Sequence, residues 1–371
     1  MKYCAVCLIA KDEDYYLEEW CEYHLRIGFD TLIIYDNDSK VPLDQVLQKY
    51  IDMGRVIVHK TPGKFEQGKI YTSCVERYKK EYKWIAFIDS DEFIFPKKTE
   101  NIKIFLAEYE CYGGVIANWV NFGTSGLRKR KNNSQIFNFI LTDGSESSTI
   151  KSIVQIAKVE KYGVHGATFS DGYYAVTANH IAVHNDCYSS PFANDKIQIN
   201  HYVFRTWEDY ERKSTRWINL GITKKATTFE EEQKKYTKSS LELVKFYTSI
   251  KHQDIIETHG NTLSSIKEFT ETILSMIEAH KIIDAELLCC NAALVFDDKS
   301  MIYYFRAVLS RITNNLQRAL HFIREALKAS GSSTIYYEYA RILAMLCEHE
   351  SSRLAKKHAD YKKHVEDTTC A

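Results

Sequence analysis

Residues 84–96 read WIAFIDSDEFIFP, and this stretch decides the fold. Trp84, Ile85, Ala86, Phe87 and Ile88 form an unbroken apolar run, as a strand buried on both faces requires. Three acids follow within four residues, Asp89, Asp91 and Glu92. The chain then turns apolar again through Phe93, Ile94 and Phe95, and Pro96 stops it. Two carboxylates held together beside a buried strand repel each other and need compensation. A divalent cation supplies it, and Mg2+ or Mn2+ prefers oxygen ligands. The Asp-x-Asp therefore reads as a metal site with coordination positions left for a diphosphate. The bland alternative is a strand-end turn with solvated acids.

Upstream, strand and helix alternate. Strands are expected at Tyr3–Ala10, Thr31–Tyr35, Val56–His59 and Ile85–Ile88, and helices at Tyr15–Gly28, Leu43–Met53 and Lys69–Tyr82. In the first helix Tyr16, Leu17, Trp20, Tyr23, His24 and Ile27 follow helical spacing, and Gly28 sits at the stop. Such alternation predicts an α/β domain with a mostly parallel sheet and helices on both faces. Ligands bind beyond the carboxyl ends of such strands. The polar clusters fall there: Lys11-Asp12-Glu13, Asp36-Asn37-Asp38-Ser39 and Asp89-Ser90-Asp91.

Downstream, shorter strands are expected at Gly114–Trp119 and Ile197–Phe204, and a helix at Glu208–Trp217. Residues 223–264 read as a helical linker. From residue 265 to 371 one helix follows another, with a 34-residue echo that pairs Ala285 with Ala319, Ala292 with Ala326, Tyr303 with Tyr337 and Leu309 with Leu343. That period is the tetratricopeptide signature, so an all-α TPR-like domain is expected; a plain helical bundle is the alternative.

Composition narrows the classes. The 371 residues suffice for two or three domains, and 45% hydrophobic residues can build a large core. Lys+Arg and Asp+Glu are both 49, which argues against general nucleic-acid affinity. The apolar run Cys4–Ala10 is too short for a membrane span or signal peptide, so a cytoplasmic protein is expected, free or peripheral at the inner face of a bacterial membrane. Ten scattered cysteines read as reduced core residues; Cys4 and Cys7 fall on opposite faces of one strand, which suits neither zinc nor a redox pair.

The stretches CLIAKDEDYYLEEWCEYHLRIGFDTLIIYDNDS (7–39) and KWIAFIDSDEFIF (83–95) resemble the glycosyltransferase family 2-like and family 92-like enzymes of the GT-A fold. NWVNFGTSG (118–126), KSIVQIAKVEKYGVHG (151–166) and INHYVFRTWEDYERKSTRW (199–217) resemble further blocks of that group, in order. The resemblance covers about residues 1–220, within a domain taken as 1–222, and excludes the helical region. It implies a GT-A-type nucleotide-sugar-binding domain, a UDP-sugar donor, Mn2+ or Mg2+, and transfer of a hexose to a glycan or glycolipid hydroxyl with inversion. A bacterial surface polysaccharide or lipooligosaccharide is the acceptor class expected.

The same resemblance suggests roles. Asp36 would bond the nucleoside, unless it makes an Asx turn. Asp89 would sit near ribose or metal, Asp91 would ligate the metal, and His201 would complete the site. Lys11, Lys151, Arg205 and Arg212 are the phosphate candidates, with Lys213 and Arg216 on the helix of Arg212. His165 and His184 are weaker metal or phosphate candidates. Trp119 and Phe122, in a segment read as loop-like, are candidates to stack on the acceptor sugar. An inverting transfer needs a carboxylate base; Asp186 is preferred, with Glu92 and Asp171 as alternatives. A nucleotidyltransferase competes with this reading, but it would carry a Gly-rich basic loop where this chain has AKDEDYY (10–16). A non-catalytic interaction protein also competes, its helical domain binding a protein partner or a second copy.

Overall fold

The computed structural model describes residues 1–369 except 64–66, 131–132, 171, 184–187, 189–191, 220–226, 260–264, 280 and 347. The chain forms two compact units. The first comprises Met1–Gly123, Thr142–Arg205 and Tyr236–Lys238; the second comprises Thr124–Leu141, Thr206–Lys235 and Ser239–Ala371.

A ten-stranded sheet organises the first unit. Its strands are β1 (Lys2–Ala10), β2 (Thr31–Asp36), β3 (Val56–Lys60), β4 (Tyr82–Phe87), β5 (Glu92–Pro96), β6 (Gly114–Asn121), β7 (Ile150–Gln155), β8 (Ala175–Val176), β9 (Ala182–Val183) and β10 (Ile197–His201). The order is β9-β8-β6-β7-β4-β1-β2-β3, with β10 joining β5 to β6. β1, β2, β3 and β4 pair in parallel, as the apolar runs predict. β7 runs antiparallel between β4 and β6, so the sheet is largely but not wholly parallel.

The first helix, α1 (Leu17–Arg26), shows why this sequence folds as it does. Its residues Tyr16, Leu17, Trp20, Tyr23, His24 and Ile27 are buried. One edge of β5 pairs with β10. Its other edge is satisfied by side chains of α1. Trp20 Nε1 donates to the Glu92 carbonyl at 2.9 Å and Tyr23 Oη donates to the Ile94 carbonyl at 2.7 Å. The Ile94 N–H donates to His24 Nε2 at 3.3 Å. Three polar tips at helical spacing thus replace a strand's partner and leave no raw edge. Gly28 ends the turn with φ 104°, and a Cβ there would lie 2.6 Å from Asn101 Oδ1.

Several boundaries differ from expectation. The helix expected at Leu43–Met53 is two short ones, Leu43–Val46 and Gln48–Asp52, broken at Leu47. The helix before β4, α2 (Gln67–Tyr78), ends earlier and β4 starts earlier. The segment 118–126, expected to be loop-like, begins as strand: Asn118–Asn121 completes β6.

In the second unit, α3 (Trp207–Asn219), α4 (Phe229–Lys235) and α5 (Glu242–His259) precede α6 (Ile266–Glu278), α7 (Ile282–Val295), α8 (Ser300–Ile312), α9 (Leu316–Ala329), α10 (Ser333–Met345) and α11 (His349–Thr369). Helices α7 and α9 begin 34 residues apart, at Ile282 and Leu316. Ala285 and Ala292 on the first match Ala319 and Ala326 on the second, and all four are buried. Leu309 and Leu343 are the corresponding buried leucines of α8 and α10. Among the described residues no helix is long and apolar enough to cross a membrane.

Candidate active site

The carboxyl ends of β1, β2 and β4 lie side by side, because Ala10 pairs with Asp36 and Cys7 with Phe87. The acidic turn follows β4 directly. Ile88 is still held by Cys7, its N–H donating to the Cys7 carbonyl at 3.2 Å. The chain then reverses through Asp89, Ser90 and Asp91 into β5, which pairs Glu92 with His201 of β10. On its other side His201 pairs with Asn121 of β6. The sheet thereby delivers Asp91 and His201, 110 positions apart in sequence, to one point: Asp91 Oδ2 and His201 Nε2 are 3.7 Å apart, both side chains almost buried.

The tautomer of His201 follows from its other nitrogen. Nδ1 lies 2.9 Å from Asn121 Oδ1, an oxygen that can only accept, so Nδ1 carries the hydrogen. Nε2 then turns its lone pair toward Asp91. A carboxylate and a basic nitrogen facing each other at this distance suit a shared cation, and a ligating histidine held through its second nitrogen is the usual support for one. Asp91 and His201 therefore fit a divalent metal. Among the described residues no group of three His, Cys, Asp or Glu side chains could hold one, so diphosphate and water oxygens would fill the remaining positions.

Asp89 is differently placed. Its Oδ2 lies 2.9 Å from Lys151 Nζ, and its Oδ1 accepts from Gln67 Nε2 at 3.0 Å. Lys151 itself is fully buried, with Glu92 Oε2 3.7 Å away. Burial pulls its ammonium down, but Asp89, Glu92 and Asp91 together hold it above its ordinary value. Lys151 is thus engaged with the acidic turn, whose charge it offsets. Glu92 is completely buried, accepts the Asp89 N–H at 3.0 Å, and is pushed by burial, with Asp89 and Asp91 adding, up to about 8 despite Lys151. Its carboxyl is enclosed by the protein and bonded to the backbone of the acidic turn.

The remaining candidates scatter. Asp36 accepts the Ser39 and Leu43 N–H groups at 3.0 and 3.2 Å, so its carboxylate is engaged by the loop after β2. Lys11 is half-buried at the end of β1. Arg212 belongs to the second unit and pairs with Asp209. Phe122 is a core side chain against Tyr202, with no face to offer a sugar. Trp119 is half-buried between His201 and His165, at ring distances of 4.0 and 5.5 Å, and its Nε1 has no hydrogen-bond partner. His165 Nδ1 bonds the Ile150 carbonyl at 3.0 Å. Asp186, Asp171 and His184 lie outside the described residues.

Two supporting residues escaped the sequence reading: Asn121 and Gln67. Asn121 was detectable in principle, since it follows Trp119 by two residues and shares its face of a strand.

The fold is an α/β domain on a largely parallel sheet, followed by a helical region. The chain belongs to glycosyltransferase family 92, whose family model matches residues 2–245. A glycosyltransferase family 92 protein of Ricinus communis is 24% identical over 221 residues, covering 57% of this chain and 37% of the relative. A galactan beta-1,4-galactosyltransferase of Arabidopsis thaliana is 28% identical over 120 residues, covering 30% of this chain and 23% of the relative. The chain spans between 22% and 38% of the length of the curated relatives it matches. Among solved structures, S. aureus TarS 1–349 aligns over 86% of this chain and 90% of its own, at 12% identity and a TM-score of 0.32.

Proposed function

We propose that the protein is a metal-dependent glycosyltransferase that moves a hexose from a UDP-sugar to a hydroxyl of a glycan, with inversion. The observation that carries this reading is the Asp91–His201 pair, 3.7 Å apart at the carboxyl edge of the sheet and braced by Asn121. Family membership supports the group-transfer class. Two relatives named galactan beta-1,4-galactosyltransferase make galactose the first hexose to test. UDP-hexoses carry an α linkage, so a β product also favours inversion.

Bound between Asp91 and His201, Mn2+ or Mg2+ would neutralise charge gathering on the departing diphosphate. The chain's own residues do the rest. Lys151 and Gln67 hold Asp89 so that the turn keeps its shape. Asn121 fixes the His201 ring. Trp119, half-buried beside His201, is the aromatic side chain proposed to stack on an acceptor sugar. Asp186 is retained as the proposed base. We read the helices from 266 to 369 as a TPR-like scaffold for a partner or a second copy.

Calorimetric titration of UDP into wild type and Asp91→Asn, with Mn2+ and with EDTA, tests the donor site. Binding that requires both metal and Asp91 is expected. Equal binding in all four conditions overturns the metal role, and no binding in any of them overturns the UDP-sugar reading.

A further inference from the structure

Arg205 stands where the chain leaves β10, and its backbone is left-handed, with φ 54°. A non-glycine residue held there is strained, and such strain persists only where surrounding bonds enforce it. Here they are plain. The guanidinium is almost fully buried. Nη1 reaches Glu13 Oε2 at 2.5 Å, Nη2 donates to Ser90 Oγ at 3.0 Å, and the group lies 4.8 Å above the Tyr16 ring. Three residues earlier the Tyr202 N–H donates to the Asp91 carbonyl at 2.8 Å.

These bonds join separate loops. Ser90 is the centre of the acidic turn, between Asp89 and Asp91. Glu13 belongs to the loop after β1, which is laced to the loop after β2. There the Asp12 N–H donates to Ser39 Oγ at 3.0 Å, and Asp12 Oδ1 accepts the Lys40 N–H at 2.9 Å. Asp12 is itself left-handed, with φ 57°. One guanidinium thus bridges the turn that carries Asp91 to the paired loops after β1 and β2. A planar guanidinium fork serves two partners in fixed directions; a lysine ammonium is a point charge without that geometry.

We propose that Arg205 is a positioning residue that ties the metal end of the donor site to its nucleoside end, so that metal and nucleotide bind cooperatively. The proposal rests on the UDP-sugar reading of the same site. Its signature is a coupling: the factor by which Mn2+ strengthens UDP binding, which equals the factor by which UDP strengthens Mn2+ binding.

The test is calorimetry of uridine, of UDP with EDTA and of UDP with Mn2+, on wild type, Arg205→Lys and Ser90→Ala. The expected result is a Mn2+ enhancement of UDP affinity that falls at least about fivefold in both variants, the lower end of ordinary site-to-site coupling, while uridine affinity stays within twofold. If uridine and UDP weaken together and the enhancement is kept, Arg205 is only a structural strut and the proposal fails. An unchanged enhancement also overturns it. Should Arg205→Lys not fold, Ser90→Ala decides, since it removes one hydroxyl. Wild type that shows no Mn2+ enhancement overturns the donor-site reading itself, and this inference with it.

Discussion

Lys151 Nζ lies 2.9 Å from Asp89 Oδ2, and 1% of the lysine side chain is exposed. A buried cation so placed is the fixed counter-charge of the acidic turn. Replacing it by Met leaves Asp89 without the cation it faces. Breaking a buried pair on one side costs about 3 kcal/mol. Lys151→Met is therefore expected to lower the unfolding free energy by that amount, read as a lower urea midpoint. Adding Asp89→Asn to it is expected to restore part of the loss. A single mutant as stable as wild type would contradict the assignment.

Asn121 acts on the site through His201. Asn121→Ala removes the acceptor for Nδ1–H and lets the ring turn. Loss of such outer support typically weakens metal binding about 10- to 100-fold. Titration of free Mn2+ in the presence of UDP, followed by electron paramagnetic resonance, is expected to show that drop, and His201→Ala a larger one. Equal Mn2+ affinity in wild type and Asn121→Ala removes His201 from the ligand set.

His24 gives a pH dependence of stability. It is fully buried, with Nδ1–H donating to the Trp20 carbonyl at 2.8 Å and Nε2 accepting from Ile94. Burial lowers it to about 3, though the Trp20 carbonyl opposes this. The unfolded chain binds this proton near pH 6.5 and the folded chain does not, so stability falls as pH drops from about 6.5 toward 3. The loss attributable to His24 is about 2 kcal/mol at pH 5. In His24→Gln the slope of stability against pH between 4 and 6.5 is expected to be shallower by one proton. An unchanged slope places the acid sensitivity elsewhere.

Glu286 of α7 faces two guanidinium groups within the second unit: Arg318 Nη2 at 2.7 Å and Arg306 Nε at 3.6 Å, all three side chains buried. Glu286→Ala takes away the carboxylate they share. The expected cost is about 3–5 kcal/mol, read as a lower thermal midpoint for the helical region. A change under about 1 kcal/mol, the scale of a surface pair, would show that the cluster does not hold these helices together.

What the sequence made legible follows from how each strand is buried. β1, β2 and β4 are covered on both faces, so their apolar runs stand out. β7 was invisible as a strand because Lys151, Ser152 and Gln155 interrupt its pattern, yet every residue of Ile150–Gln155 is buried. Its polarity is there because it carries Lys151 to the acids. The same conflict hid the end of β6. Asn118 and Asn121 look like loop residues, but Asn118 Nδ2 donates to the Ser147 carbonyl, its Oδ1 accepts the Ala193 N–H, and Asn121 holds His201. Local rules fail where function imposes polar groups on a core. Depth was the other thing unreadable: nothing in DSDE says that Asp91 opens toward His201 while Glu92 points into the protein.

The lysine beneath the acidic turn has one more consequence. A chain that brings its own counter-ion can finish folding before any manganese or magnesium arrives. On the proposed reading, scarcity of either ion leaves an idle but intact pool of protein, and replenishment wakes it without new synthesis. The metal then works as a throttle on glycan output rather than as a condition of survival for the polypeptide.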